Sequence, residues 1–130
     1  MSRTRIVKES LWVAAGGMAG ALLRHGTNHL VPLLVGDSYL LTATAVENVA
    51  GSFLIGFLYI LIRKRYDKDR NLSLFLLTGF VGSYTTYSGF MVEALILFQI
   101  APFLFISYLF SQVIIGIFAV CAGIYVCKKI

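Results

Sequence analysis

The chain has 130 residues, of which 58% are hydrophobic and 13% charged, and it carries a formal net charge of +5. Charged residues make up about 25% of a typical soluble domain, so this composition excludes a soluble globule and indicates a membrane protein. Runs of about 20 apolar residues predict transmembrane helices. Four such runs predict one all-α transmembrane domain over residues 1–130, with spans at 11–35, 39–62, 72–99 and 102–126.

The basic residues are distributed unevenly between the predicted loops. Three precede the first span, five lie between the second and third spans, and two follow the fourth. With four spans these segments share one face, which therefore holds ten of the eleven Lys and Arg residues. The positive-inside rule explains this charge without a nucleic-acid partner. We expect a multi-pass plasma-membrane protein with both termini in the cytoplasm and one fixed orientation.

The first span carries the sequence GGMAGALLRHG. Gly16 and Gly20 are spaced for close packing against another helix. Arg24 lies inside the span, where a charge is costly, and is expected either to snorkel to the interface or to serve a vestibule or pore. His25 and His29 are one turn apart, but a metal site is not favoured because no third ligand is near in the sequence.

The second span carries TATAVENVAGSFLIG. Thr44, Asn48 and Ser52 fall on one helical face together with Gly51. This stripe is either a set of interhelical contacts or a polar track that lines a path. Glu47 lies at its edge, and a carboxylate within a membrane requires a partner such as Arg24, a cation or a proton.

Residues 78–90, TGFVGSYTTYSGF, place glycines and hydroxyls in the middle of the third span. Because these residues fall on every side of a helix, we expect an unwound segment between two half-helices, with a glycine packing seam in an ordinary helix as the alternative. Freed carbonyls suit a cation, whereas helix N-termini and hydroxyls suit an anion. The ring edges of Tyr84, Tyr87 and Phe90 can also face an anion.

The fourth span begins at Pro102 and carries Ser107, Tyr108, Ser111 and Gln112 near its start. These residues either bond between helices or continue a polar path. The sequence offers no nucleotide-binding loop and no nucleophile with a general base. It therefore predicts passive or coupled transport by an oligomer and not an enzyme.

The three motifs GGMAGALLRHG, TATAVENVAGSFLIG and GFVGSYTTYSGFMVE, in this order, resemble the Fluc, or CrcB, family of fluoride-specific channels. The resemblance covers essentially the whole chain. It implies an antiparallel dimer in the lipid bilayer, two fluoride pores, passive export of fluoride that protects the cell, and a structural sodium ion at the dimer centre.

The resemblance also implies roles for particular residues. The backbone carbonyls of Gly82 and Thr85 match the sodium ligands, and Arg24 and Glu93 match a vestibule or electrostatic pair. The residues that match the fluoride pore are Thr44, Asn48, Thr86, Tyr87, Ser88, Phe90, Tyr108 and Ser111.

Four positions depart from the family pattern: Glu47, Tyr87, Gly89 and His25. The charge bias also conflicts with a homodimer that inserts one sequence in both orientations. We therefore favour a heterodimer with an oppositely oriented paralogue, in which one pore has decayed, and a homodimer with strong charge bias stays open as the alternative. Two alternatives stay open, namely a proton-coupled exporter of cationic compounds that uses Glu47 and a non-conducting assembly subunit.

Overall fold

A computed structural model describes residues 3–36 and 42–130, and the described residues form helices without any strand. The three long helices are α1 (Arg3–Val35), α2 (Ala43–Arg65) and α6 (Pro102–Lys129). Each is long and apolar enough to cross a membrane. The chain is thus an all-helical, multi-pass membrane protein. The predicted loop at Asp37 and the predicted start of the second span, residues 39–41, lie outside the described residues.

The predicted third span contains several shorter elements in place of one long helix. They are α3 (Arg70–Ser73), a π-helical segment (Leu74–Val81), α4 (Gly82–Tyr84) and α5 (Tyr87–Ile100). Between α4 and α5, Thr85 and Thr86 have extended backbone, with φ/ψ of −79°/153° and −141°/118°. The π-helical segment, with its wider turns, has no signal in the sequence pattern.

Local sequence explains where the helices begin. The Thr42 hydroxyl accepts a hydrogen bond from the backbone N–H of Ala45, which caps α2. The Asp69 carboxylate accepts from the N–H groups of Asn71 and Leu72 at the start of α3. Pro102 occupies the first turn of α6, where its missing N–H costs no helical bond.

Glycines allow α1 to cross the π-helical segment with little space between the two backbones. A Cβ added at Gly16 or Gly20 would collide with the carbonyl oxygen of Phe75 or Phe80, respectively. Gly79 faces α1 from the opposite side, because its Cβ would lie 2.9 Å from the Cα of Gly16. The packing seam predicted for Gly16 and Gly20 is therefore confirmed.

A second close crossing joins α2 to α6. A Cβ at Gly56 would collide with the carbonyl oxygen of Val120, and a Cβ at Gly123 would collide with that of Phe53. A small buried apolar cluster lies between α2, α5 and α6 and is formed by Ala45, Ala94, Leu97 and Tyr108.

Polar contacts tie three segments together at one end of the bundle. The Arg70 guanidinium donates to both carboxylate oxygens of Glu9, at 2.7 and 3.0 Å, and Arg5 adds a third bond at 2.9 Å. These donors, Arg70 first, lower the pKa of Glu9 below its ordinary value. Lys64 donates to the backbone carbonyl of Lys128 at 3.0 Å. The N-terminal segment, the basic loop and the C-terminus therefore share one end, as the charge distribution predicts.

Candidate functional site

Thr85 and Thr86, the extended residues between α4 and α5, are called the break, and local side chains hold their backbone in place. The Thr86 hydroxyl accepts from the N–H of Gly89 at 3.1 Å, so that Thr86 caps α5. The Thr85 hydroxyl donates back to the carbonyl of Val81 at 3.0 Å. Threonine suits both positions because its β-branched side chain favours extended backbone and its hydroxyl can replace a backbone partner.

Asn48 of α2 binds this segment from the neighbouring helix. Its Nδ2 donates to the carbonyl of Thr86 at 3.0 Å, and its Oδ1 accepts from the N–H of Thr86 at 2.9 Å. The Asn48 side-chain amide therefore provides hydrogen-bond partners for both the N–H and the carbonyl of Thr86, which lies outside regular helix. The stripe that contains Asn48 was compatible with interhelical contacts or with a polar track, but its partner Thr86 could not be predicted because the two residues are 38 positions apart.

Because of these hydrogen bonds, two backbone N–H groups no longer donate to the carbonyls that would accept from them in a continuous helix. The carbonyl of Gly82 would accept from the N–H of Thr86, which instead donates to Asn48. The carbonyl of Thr85 would accept from the N–H of Gly89, which instead donates to the Thr86 hydroxyl. Gly82 also lies on an exposed face of the chain. Two carbonyls at the break have thus lost their usual i+4 partners.

An open groove of about 320 Å³ lies beside the break. Its walls combine one amide, small hydroxyl residues and two aromatic rings. The lining residues are Asn48, Gly51, Ser52, Ile55, Val81, Thr85, Thr86, Tyr87 and Phe90. The groove therefore brings together four of the eight predicted pore residues, and it also includes Thr85.

Two aromatic residues mark one side of the groove. The Tyr87 ring is 75% exposed and lies 6.2 Å from the Phe90 ring, centroid to centroid. Phe90 packs in turn on Tyr108, with centroids 5.3 Å apart. Gly51 also lines the groove, and a Cβ at this position would collide with the methyl group of Thr85. A larger residue at position 51 would therefore push into the break.

The other four predicted pore residues lie next to the groove or behind it. Thr44 is buried, and a Cβ on Gly89 would lie 3.2 Å from its hydroxyl. The Ser88 hydroxyl lies 3.2 Å from that of Thr86. Tyr108 is fully buried, and Ser111 donates to the carbonyl of Tyr108 within its own helix.

Glu93 has a well-defined set of donors. Its Oε2 accepts from the Tyr108 hydroxyl at 2.5 Å and from the Thr42 hydroxyl at 2.9 Å. This link connects the start of α2 with α5 and α6. Sequence analysis did not single out Thr42, although a threonine just before an apolar helix is a typical N-cap signal.

Glu47 contrasts with Glu93. It is completely buried, and neither of its carboxylate oxygens has a hydrogen-bond partner in the described part of the chain. Arg24 and Glu93 lie close enough to act on it electrostatically. Glu47 does not line the groove, so it does not reach the site in this arrangement.

His25 and His29 are both exposed, with their Nε2 atoms 3.2 Å apart. No group of three metal-ligating side chains occurs among residues 3–36 and 42–130. The pair is therefore separate from the groove and lacks a third protein ligand in that part of the chain.

Comparison with known proteins identifies close relatives over most of the chain. The family model described as CrcB-like protein, Camphor Resistance (CrcB), matches residues 11–124. A protein of Thermosipho melanesiensis named fluoride-specific ion channel FluC is 35% identical over 111 residues, which are 85% of this chain and 89% of the relative. A protein of Dehalococcoides mccartyi with the same name is 36% identical over 118 residues, 90% of each chain. A third, from Rhizobium leguminosarum, is 40% identical over 91 residues, 70% of this chain and 72% of the relative.

Proposed function

Because the chain belongs to the CrcB family, we propose that it is a subunit of a fluoride-selective channel that exports cytoplasmic fluoride passively and so protects the cell. The single observation that carries this proposal is the groove at the break. Relatives named fluoride-specific ion channels support the choice of ion. The groove supports the location, because it gathers Asn48, Thr86, Tyr87 and Phe90 beside non-helical backbone.

The chemistry of the groove suits a small anion. The positive end of the α5 dipole points to the break. The N–H groups of Tyr87 and Ser88, the first two of α5, have no acceptor within their own helix, whereas that of Gly89 donates to the Thr86 hydroxyl. Hydroxyl groups of Thr86 and Ser88 lie beside them. The rings of Tyr87 and Phe90 add edges with partial positive charge. Fluoride would exchange water for these donors without meeting a fixed anionic side chain, since Glu47 lies outside the groove.

The third span crosses the membrane as two half-helices in this proposal. A break inside a membrane is stable only where its backbone groups find partners. The reciprocal hydrogen bonds between Asn48 and Thr86 provide such partners. Beside them, Gly82 and Tyr87 are exposed on the surface of the chain. The half-helices then direct a helix N-terminus toward the middle of the bilayer.

A sodium ion fits the carbonyls of Gly82 and Thr85. Both carbonyls have lost their i+4 donors to side chains, and backbone oxygens are ligands that sodium accepts. These two oxygens do not complete a sodium coordination shell, so a second copy or a paralogue would add the remaining ligands. The ion would supply a fixed positive charge, worth roughly 4 kcal/mol to an anion at about 4 Å and an effective dielectric of 20.

The complete channel is an antiparallel dimer in a plasma membrane, with both termini of this chain in the cytoplasm. The exposed positions of Gly82 and Tyr87 support a partner on this face. The charge asymmetry favours an oppositely oriented paralogue as that partner, because the positive-inside rule would hold this chain in one orientation. The chain then contributes one half of a heterodimer.

A fluoride-flux assay tests the function. This chain and a second CrcB-family chain from the same organism, reconstituted together in liposomes loaded with potassium fluoride, should release fluoride to an electrode once valinomycin clamps the potential, whereas chloride should be retained. Phe90→Ala should slow the release, and Phe118→Ala, an exposed residue of α6 outside the groove, serves as the matched control. Flux that follows a proton gradient and disappears in Glu47→Gln would instead support the proton-coupled exporter.

A further inference from the structure

A second cavity of about 390 Å³ lies at the end of the bundle that holds the basic loop. Its lining combines two cationic side chains with an apolar floor. The lining residues come from the end of α2, the following loop, α3 and the π-helical segment, and they are Tyr59, Ile62, Arg63, Lys68, Ser73 and Leu77. We propose that this cavity binds the headgroup of an anionic phospholipid.

The position of Arg63 is fixed by its neighbour. The guanidinium donates to the Tyr59 hydroxyl at 2.9 Å and lies 5.6 Å from the centre of its ring. Both contacts hold the long side chain at the cavity and leave its other N–H groups for an anion. Tyr59 accepts this bond and keeps its own hydroxyl proton for donation.

The loop places Lys68 beside Arg63. Asp67 and Lys68 adopt left-handed backbone, with φ of 45° and 58°, and this turns the chain back toward α2. The N–H of Lys68 donates to the carbonyl of Ile62 at 3.3 Å. The turn therefore brings Lys68 over the C-terminal end of α2, where a cation also complements the helix dipole.

The two cations at the cavity are free of acidic partners within the described chain, unlike their neighbours. Arg70 is committed to Glu9, and Lys64 donates to carbonyls at the end of α6. The two ion pairs found in the described residues both use Glu9 and neither reaches the cavity. Asp69 is engaged as the cap of α3. Arg63 and Lys68 thus form no ion pair with an acidic side chain in the described residues.

The apolar floor selects a lipid over a soluble phosphate. Ile62 and Leu77 line the same cavity as the two cations and belong to apolar helical segments, α2 and the π-helical segment. A phospholipid can satisfy both regions at once, with its phosphate on Arg63 and Lys68 and its first acyl carbons on Leu77. Basic pockets between transmembrane helices are known to suit anionic headgroups.

Lipid-dependent thermal stability tests this proposal. The full-length protein in detergent micelles is titrated with phosphatidylglycerol, phosphatidylcholine, glycerol 3-phosphate or inorganic phosphate, and the melting temperature is followed. We expect phosphatidylglycerol alone to raise it. Arg63→Gln and Lys68→Gln should each require about fivefold more phosphatidylglycerol for the same rise, from the usual contribution of one cation near an anionic surface.

Arg65→Gln is the matched control, because it removes the same charge from an exposed residue of the same segment outside the cavity. It should respond like the unaltered protein. Equal weakening in all three variants would mean a diffuse charge effect and overturn the proposal. Equal stabilisation by inorganic phosphate would identify a free-anion site and would also overturn it.

Discussion

The side chain of Asn48 and the backbone of Thr86 exchange two hydrogen bonds, at 2.9 and 3.0 Å, across the contact between α2 and the break. One side chain thereby supports the non-helical backbone and contributes to the wall of the groove. The same pair explains why the carbonyl of Gly82 loses its helical donor. The conformation of the break therefore depends on α2 as much as on its own sequence.

Replacing Asn48 should impair flux. Asn48→Asp keeps an acceptor for the Thr86 N–H, but it loses the donor to the Thr86 carbonyl and adds an anion at the groove. The part-buried Thr86 carbonyl then lacks its side-chain donor, and a negative charge beside the groove opposes an anion by roughly 4 kcal/mol at about 4 Å and an effective dielectric of 20. We therefore expect fluoride efflux to fall by about tenfold or more. Asn28→Asp, at an exposed position of α1, is the control. Unchanged efflux in folded Asn48→Asp protein would exclude this role.

Glu47 should cost the protein stability. Its side chain is fully buried without a hydrogen-bond partner in the described residues. Glu47→Val removes the unpaired carboxylate and replaces it with an apolar side chain of similar volume. We therefore expect the free energy of unfolding to rise by about 1–3 kcal/mol. Denaturant titration in mixed micelles measures this change.

Glu93→Val provides the opposite comparison for the Glu47 substitution. It leaves the hydroxyls of Tyr108 and Thr42 without their acceptor, so it should lower the free energy of unfolding by a similar amount. If Glu47→Val and Glu93→Val lowered the free energy of unfolding equally, the prediction would be wrong. Glu47 would then form a stabilising interaction that is not seen among the described residues.

The crossing of α1 with the π-helical segment should tolerate no methyl group at Gly20. A Cβ there would lie 3.0 Å from the carbonyl carbon of Phe80 and closer still to its oxygen. Overpacking of this kind costs about 1–3 kcal/mol. Gly17→Ala is the matched control on the same helix, because nothing lies within 4 Å of its Cβ position. A Gly20→Ala protein as stable as Gly17→Ala would contradict the close crossing.

The Glu9 cluster should make stability depend on acid pH. The donors Arg70 and Arg5 lower the folded-state pKa of Glu9 below 4.5. Its contribution is therefore present above the unfolded-state pKa and lost as pH falls through the lower, folded-state value. Glu9→Gln should lower the melting temperature at pH 7 and have little effect well below pH 4. An equal loss of melting temperature in Glu9→Gln at pH 7 and at the acidic pH would refute the assignment.

Sequence analysis predicted features that depend on local pattern. Apolar runs predicted the long helices, small residues predicted the seam at Gly16 and Gly20, and basic residues predicted that three segments share one end. The extended residues Thr85 and Thr86 lie within the stretch whose hydroxyls and glycines indicated unwinding. Each of these signals is carried by neighbouring residues in one segment.

Features that depend on packing between segments were not predicted. The bonds of Asn48 to Thr86 and of Thr42 to Glu93 join residues far apart in sequence. The burial of Tyr108 and Glu47 depends on how α5 and α6 close over α2. A helical stripe identifies which residues share a face, but it does not tell which of them a neighbouring helix will cover.

The most direct test of the central claim is fluoride efflux from liposomes, measured for this chain alone and for the chain together with a second CrcB-family chain from the same organism. We predict rapid release of fluoride, retention of chloride and no response to a proton gradient in at least one of the two preparations. Release from the paired preparation only would identify the heterodimer. Absence of fluoride release from folded protein in both preparations would contradict the account.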